Sequence, residues 1–339
     1  MDFTRFPRRR YCKSPTPLEP LPRLSRHLGG KVDIWIKRDD LLPDASGGNK
    51  TRKLEFSIGA AIAQGADTLI TCGALQSNHC RLTLAYARKE GLDCHLILVE
   101  PEPGAYNPKA SGNNFLYHLL GASGIRIVTP ESDLPDEMQK TAELLRKAGK
   151  SPYIIPMGAS NATGALGYAL FVEELMTQVN DMALKIDQFI IPSGSTGTHA
   201  GIVTGLSGNN VSIPVTGINV LARSRELQEK LVHSLSQELA HILSIPDVPG
   251  KLVNCVDDYV GPGYALPTEA MKEAVFLFAR EEGILLDPVY SGKTAAGLVD
   301  FVRQGRFSAG STVLFLHTGG TPALYAYQDI FDLPANPGI

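Results

Sequence analysis

No stretch of this chain approaches the ~20 consecutive apolar residues that a membrane-crossing helix needs. Its first ten residues, MDFTRFPRRR, hold no apolar run of the kind a signal peptide carries. Cysteine is scarce and scattered: Cys12, Cys72, Cys80, Cys94 and Cys255 are odd in number and form no CxxC. That pattern argues against a disulfide framework and against a zinc site. The expected setting is cytoplasmic, with reduced thiols. An excess of charge of one sign is missing too. The net charge is −3 and the pI about 6.3, which gives no reason to expect nucleic acid or an anionic membrane as partner. The basic run Arg5-Phe6-Pro7-Arg8-Arg9-Arg10 is the local exception and reads as a solvated or locally paired arm. Several catalytic signatures are absent as well. There is no GxGxxG, no GxxxxGK[ST], no GxSxG around Ser77, and no HxxxH linking His79, His199 and His317. Neither a metal nor a dinucleotide is expected, and His199 and His317 read as core or capping histidines.

What is present is an ordinary globular composition, 43% hydrophobic and 20% charged over 339 residues, enough for one large domain or two. Short apolar runs read as buried strands: Ile34–Ile36, Thr68–Cys72, His95–Val99, Ile125–Val128, Tyr153–Ile155, Phe189–Pro192, Val215–Val220 and Val313–His317. Helical spacing lies between them. Leu54, Ile58, Ala61 and Ile62 share one face, as do Met271, Val275 and Phe278, with Pro267 and Thr268 marking a start and Gly283 a stop. Such alternation predicts an α/β fold of open, mostly parallel sheets with flanking helices. Ligands in such folds bind beyond the carboxyl ends of the strands.

Several unusual loops fall at those ends. SGGNKTRKLEF (46–56) sets Lys50 and Lys53 behind a glycine pair, as phosphate clamps, a covalent amine or solvated charge. IPSGSTGTHAG (191–201) runs a strand into Gly194, Ser195, Thr196, Gly197 and Thr198, which is either a phosphate cradle or a well-capped turn. TCGALQSNHCR (71–81) places Ser77, Asn78 and His79 at a helix start, as a carboxylate receptor or as plain capping. Tyr264 and Tyr290 lie on Gly- and Pro-bearing loops, and Thr318 ends a strand in LHTGGTPAL. Together these supply a reactive amine, a phosphate cradle, a carboxylate receptor and two phenols, the set that pyridoxal phosphate requires.

The ordered motifs GGNKTRKLEF, QSNH, SGSTGTHAG, GPGY, DPVYSGK and HTGG resemble the D-cysteine desulfhydrase and 1-aminocyclopropane-1-carboxylate deaminase family, within the tryptophan-synthase-β-like pyridoxal phosphate enzymes. The resemblance runs from about Phe6 to Tyr327. It implies two domains, 1–47 with 162–339 and an inserted 48–161, with the cofactor between them, and a homodimer. It implies Lys50 as Schiff-base lysine and general base, next to Asn49. Asn78 would sit at the ring hydroxyl, Gly194–Thr198 with Lys53 at the phosphate, and Ser291 and Thr318 beside the ring nitrogen. Ser77, Asn78 and His79 would receive a small amino-acid substrate, and Tyr264 and Tyr290 would flank its side chain, one of them donating a proton.

Within the family, ring-opening deaminases resemble DPVYEGK and HLGG, where this chain has Ser291 and Thr318, and they show Gln where it has His79. A hydroxyl at the ring nitrogen makes a weaker electron sink than a carboxylate, which suits elimination of a good leaving group. The expected activity is therefore β-elimination from D-cysteine to pyruvate, hydrogen sulfide and ammonia, a step of amino-acid catabolism. L-Cysteate sulfo-lyase and 1-aminocyclopropane-1-carboxylate deaminase are the alternatives inside the family. A magnesium-dependent nucleotide enzyme built on Gly47–Thr51 and a non-catalytic cofactor carrier are the alternatives outside it.

Overall fold

The computed structural model describes residues 1–331; the last eight residues assigned above to the larger domain lie outside the described residues. Ten strands form two sheets: β1 (Leu18–Pro20), β2 (Asp33–Arg38), β3 (Thr68–Ala74), β4 (Asp93–Val99), β5 (Gly124–Val128), β6 (Pro152–Ile154), β7 (Gln188–Ser193), β8 (Val215–Asn219), β9 (Cys255–Val256) and β10 (Thr312–His317). The six-stranded sheet has the order β1-β2-β10-β7-β8-β9, and the four-stranded sheet β5-β4-β3-β6. Every pairing is parallel except β1 against β2.

Continuous apolar runs predict strands covered on both faces, and the side chains alternate accordingly. Along β10, Leu314 and Leu316 enter one core while Val313 and Phe315 enter the other; along β7, Phe189 and Ile191 part from Ile190 in the same way. In the smaller sheet Leu69, Leu96 and Leu98 face one core, and Ile70, Cys72 and Ile97 face the opposite one. The expected strands are all present, though Ile155 and Val220 fall just beyond the ends of β6 and β8. β1 and β9 were not expected. β1 is a three-residue edge strand ending in Pro20, and β9 is two residues long, so neither shows a pattern. The helix Glu269–Glu282 starts on Thr268, whose side chain accepts from the Met271 amide, and stops at Gly283 with φ +69°. No helix among the described residues is long and apolar enough to cross a membrane.

The helix Lys50–Ala63 is buried on nearly every face, not along one stripe. It packs on the helix Ala162–Asp181 so closely that a Cβ at Gly167 would overlap the Arg52 carbonyl. A charged cluster fixes the docking. The Arg52 guanidinium donates to Asp39 (2.7 and 2.8 Å) and to Glu174 (2.8 and 2.9 Å). The Tyr168 hydroxyl donates to Asp39 (2.6 Å), and Lys37 Nζ donates to Glu174 (2.6 Å). The basic N-terminal run is tethered as well as solvated: Arg8 pairs with Glu55 and Arg9 with Glu90, both far along the chain, while Arg5, Arg9 and Arg10 are exposed.

Gly167→Ala is expected to push the two helices apart and cost about 1–3 kcal/mol as overpacking. Thermal melts of the purified variant check this; an unchanged midpoint would show that the contact has room to give.

Candidate active site

A cavity of ≈ 430 Å³ opens beyond the carboxyl ends of β3, β7, β8 and β10. Its wall includes Asn49, Lys50, Ser77, Asn78, His79, Gly194, Ser195, Thr196, Thr198, Tyr264, Tyr290 and Thr318. Among the described residues no aspartate or glutamate lines it, while Lys50 and Arg223 do, so the cavity favours anions.

Lys50 begins its helix after a run of left-handed backbone: Asp44 (φ +64°), Ala45 (+43°), Ser46 (+65°), Gly47 (+57°) and Gly48 (+121°). Gly47 is required twice over, by its φ and because a Cβ there would overlap the Asp40 and Leu42 carbonyl oxygens. The glycine pair thus serves both the sharp bend and the close approach that the sequence suggests. The Asn49 amide donates to the Thr318 carbonyl (3.0 Å), tying this turn to the end of β10. Lys50 is half-buried, and its Nζ donates to Asn49 Oδ1 (3.0 Å). Burial lowers its pKa to about 8, with Asp287 opposing and the Arg81 charge adding to the fall.

Lys53 stands one turn further on and behind the cavity wall. Its buried ammonium donates to the Gly158 carbonyl (3.0 Å) and to Ser160 Oγ (3.4 Å), and no carboxylate pairs with it among the described residues. Burial, then the nearby Lys50, hold its pKa well below the usual lysine range. Ser160 in turn donates to Ser195 Oγ (2.9 Å) and accepts from the Gly197 amide (3.2 Å). The turn after β7 puts Thr196 at φ +75°, a conformation rare for a β-branched residue. The helix Gly197–Gly208 follows. The amides of Ser195, Thr196, Thr198 and His199 find no acceptor among the described residues. Orphan amides at a helix start beside an uncompensated buried lysine make a site complementary to a phosphate group.

At the opposite wall Ser77 caps the helix Asn78–Lys89, its Oγ accepting from the Cys80 amide (3.1 Å). That use of a lone pair leaves the hydroxyl proton to donate, so capping and carboxylate binding are compatible. Asn78 Oδ1 accepts from Arg81 (3.0 Å) and Asn113 (2.8 Å), leaving its amide hydrogens for a ligand. His79 is buried. Thr71 Oγ1 donates to the Ile155 carbonyl (2.8 Å) and meets His79 Nε2 at 2.7 Å, so Nε2 carries the proton and Nδ1 is without a partner. Burial and the two lysines keep this ring neutral. Tyr264 and Tyr290 hydrogen-bond to each other through their hydroxyls (2.5 Å), and burial raises both above the usual phenol range.

Ser291, expected beside the ring nitrogen, has its hydroxyl engaged by Asp287. It is fully buried and absent from the cavity wall, its Oγ donating to Asp287 Oδ1 (2.7 Å) and accepting from the Asp287 amide (2.8 Å). Asp287 also caps this helix start, accepting from the amides of Val289, Tyr290 and Ser291. The hydroxyl that faces the cavity is that of Thr318, which has no hydrogen-bond partner among the described residues. His317 accords with the capping reading: Nε2 meets the Leu285 carbonyl (3.0 Å) and Nδ1 accepts from the Gly319 amide (3.2 Å). His199 does so only in part, for Nδ1 meets Ser193 Oγ (3.1 Å) while Nε2 has no partner. Sequence reasoning assigned no role to Arg81, Asp287, Ser160 or Arg223. Asp287 gave a signal in DPVYSGK, an Asp placed to cap the following helix; the others gave none.

The sequence profile of the pyridoxal-phosphate dependent enzyme family matches residues 10–319. The chain is 44% identical to the D-cysteine desulfhydrase of Salmonella typhimurium (strain LT2) over 327 residues, covering 96% of this chain and 98% of that one; the Salmonella typhi relative gives the same figures. Among solved structures, an ACC deaminase homologue superposes with a TM-score of 0.86 at 36% identity, covering 96% of each chain. An O-ureido-L-serine synthase, at TM-score 0.66, 16% identity and 94% coverage of each chain, shares the fold. With the profile spanning nearly the whole chain and the relatives matched end to end, this protein belongs to the pyridoxal-phosphate dependent enzyme family.

Proposed function

We propose that the chain is a β-elimination lyase acting on D-cysteine to give pyruvate, hydrogen sulfide and ammonia. The observation that carries this reading is the pairing of two lysines one helical turn apart. Lys50 opens on the cavity with a lowered pKa, while Lys53 is buried beside orphan amides with no anion of its own. The relatives named D-cysteine desulfhydrase support the choice of substrate. The phosphate of the cofactor would be held by Lys53 and the Ser195–His199 amides. Its ring would lie between Asn78 and Thr318, with its aldehyde at Lys50.

Pyridoxal phosphate, when bound, supplies an electron sink for the charge left at Cα. The side chains do the remainder. The Ser77 hydroxyl and the free amides of the helix Asn78–Lys89 receive the substrate carboxylate. Lys50, about half neutral at pH 8, takes the Cα proton. Tyr264 and Tyr290, both neutral, give a proton to the departing sulfur, one phenol re-supplying the other through their shared hydrogen bond. With Ser291 engaged by Asp287, the argument for a weak electron sink rests on Thr318 alone.

Arg223 favours a second reading. It lines the cavity, with its Nη1 3.5 Å from the Gly194 carbonyl and 3.3 Å from Gln228 Oε1 and no carboxylate paired to it among the described residues. A cation there suits a sulfonate, hence L-cysteate with sulfite as the product. We also propose a large domain of 1–47 with 162–331 around an inserted 48–161, supported by the membership of the two sheets. A cytoplasmic setting, supported by the free thiols, and a homodimer, which rests on the family resemblance alone, complete the proposal.

Purified enzyme is expected to release pyruvate from D-cysteine faster than from L-cysteine, L-cysteate or 1-aminocyclopropane-1-carboxylate, and Lys50→Ala to abolish release while the fold survives by circular dichroism. Faster sulfite release from L-cysteate would move the assignment to the second reading; pyruvate from the Lys50→Ala variant would refute both. Lys53→Gln should weaken cofactor affinity at least tenfold in an equilibrium titration followed by tryptophan fluorescence, with the affinity of pyridoxal, which lacks the phosphate, unchanged. Reaction of the cofactor-free chain with pyridoxal phosphate at Lys50 should rise through a midpoint near pH 8, because only the neutral amine attacks. A midpoint near that of free lysine would contradict the burial.

A further inference from the structure

Arg81 is fully buried, yet no carboxylate lies within ion-pair distance of it among the described residues. Buried charges are normally paired. This one is spent on neutral acceptors instead. Nη2 donates to the Gly47 carbonyl (2.7 Å); Nη1 donates to Asn113 Oδ1 (2.7 Å) and Asn78 Oδ1 (3.0 Å); Nε has no acceptor. Arg81 does not itself line the cavity, though its partner Asn78 does. Two of its three acceptors nevertheless belong to the segments that must be aligned, the left-handed turn 44–48 that presents Lys50 and Asn78 on the facing wall; the third, Asn113, begins the helix Asn113–Leu119 and itself donates to Asn78.

A run of left-handed residues persists only when its surroundings over-determine it. The clasp is visible here. From the same helix, the Tyr86 hydroxyl donates to the Pro43 carbonyl (2.8 Å) and Lys89 pairs with Asp44 (2.8 Å), while Arg81 holds the inner end at Gly47. The Tyr86 hydroxyl also meets Thr51 Oγ1 (3.1 Å) on the Lys50 helix, while Lys89 grips the turn alone. Arg81 grips the turn and Asn78 together, and it brings a positive charge into a region whose nearby acid, Asp287, is engaged by the amides of Val289, Tyr290 and Ser291.

We infer that Arg81 is the positioning residue of this site: its guanidinium locks the turn carrying Lys50 to Asn78, and its charge acts on the Lys50 amine against that of Asp287. The inference rests on the cofactor-binding reading above. Arg81→Lys keeps the charge but cannot span Gly47 and Asn78 together; Arg81→Gln removes the charge and keeps a donor.

The test is made on the holoenzyme with both variants, each first checked for folding by circular dichroism and thermal melts. Removing a nearby positive charge favours the protonated form of the lysine–cofactor linkage. Arg81→Gln should therefore move the pH midpoint of the visible absorbance band upward by about one unit, and Arg81→Lys should leave it in place. Both should lower kcat at least tenfold with KM for D-cysteine within about threefold, since Ser77 and the helix amides are untouched. The absorbance titration needs no amino acid, so it stands even if D-cysteine proves not to be the substrate. A folded Arg81→Gln enzyme with unchanged midpoint and kcat overturns the inference. If that variant does not fold, an Arg81→Lys enzyme with wild-type kcat overturns it.

Discussion

The contact on which the rest of this structure depends is the buried grip of Arg52 on Asp39 and Glu174. Arg52 lies two residues after Lys50, so whatever fixes its guanidinium fixes the reactive amine. Asp39 follows β2 of the larger sheet, and Glu174 sits on the helix Ala162–Asp181. The pair therefore bolts the first turn of the Lys50 helix to the six-stranded sheet and its covering helix at once. Lys37, Tyr168 and Thr16 complete the hydrogen bonding of the two carboxylates. Removing one partner from such a cluster leaves an unpaired buried charge, a loss of about 3–5 kcal/mol. The cluster is thus matched across segments distant in sequence, and it holds the amine to the same frame as the phosphate-complementary turn.

Charge then shapes the cavity. The acids near the site are engaged elsewhere: Asp39 and Glu174 with Arg52, and Asp287 with the amides that begin the helix Ser291–Arg303. What remains around the cavity is Lys50, Lys53, Arg81 and Arg223, all without a paired carboxylate. Burial lowers the pKa of Lys50, Lys53 and Arg81. A cavity of this kind is incomplete as a purely protein object, and an anionic cofactor with an amino-acid substrate supplies what it lacks. The neutral state of His79 follows from its burial first and then from the two lysines beside it.

Much of this was legible in the chain. The strands that form both sheets announce themselves as apolar runs because each is covered on both faces. Thr268 and Gly283 mark a helix that begins and ends where they say. The Gly47–Gly48 pair, Ser77 as a cap and the small residues after β7 each signal their local geometry. What stayed hidden depends on distances that sequence does not carry. Arg81 matters because Gly47, 34 residues earlier, comes within 2.7 Å of it. The engagement of the Ser291 hydroxyl by Asp287 was hidden too, because a motif records neighbours along the chain and not the partner of a side chain. β1 escaped because an edge strand of three residues ending in proline has no alternation to read.

The left-handed turn at 44–48 has a consequence for how such a centre can be transplanted. Its shape is imposed from outside, by Tyr86 and Lys89 as well as by Arg81, and not by its own residues alone. The short peptide bearing Lys50 is therefore no portable cassette: spliced into a foreign scaffold without the helix that clasps it, the segment would relax and its amine would lose its aim. An engineer seeking this chemistry in a new host would have to move the helix Asn78–Lys89 along with the loop, although most of that helix never meets a substrate.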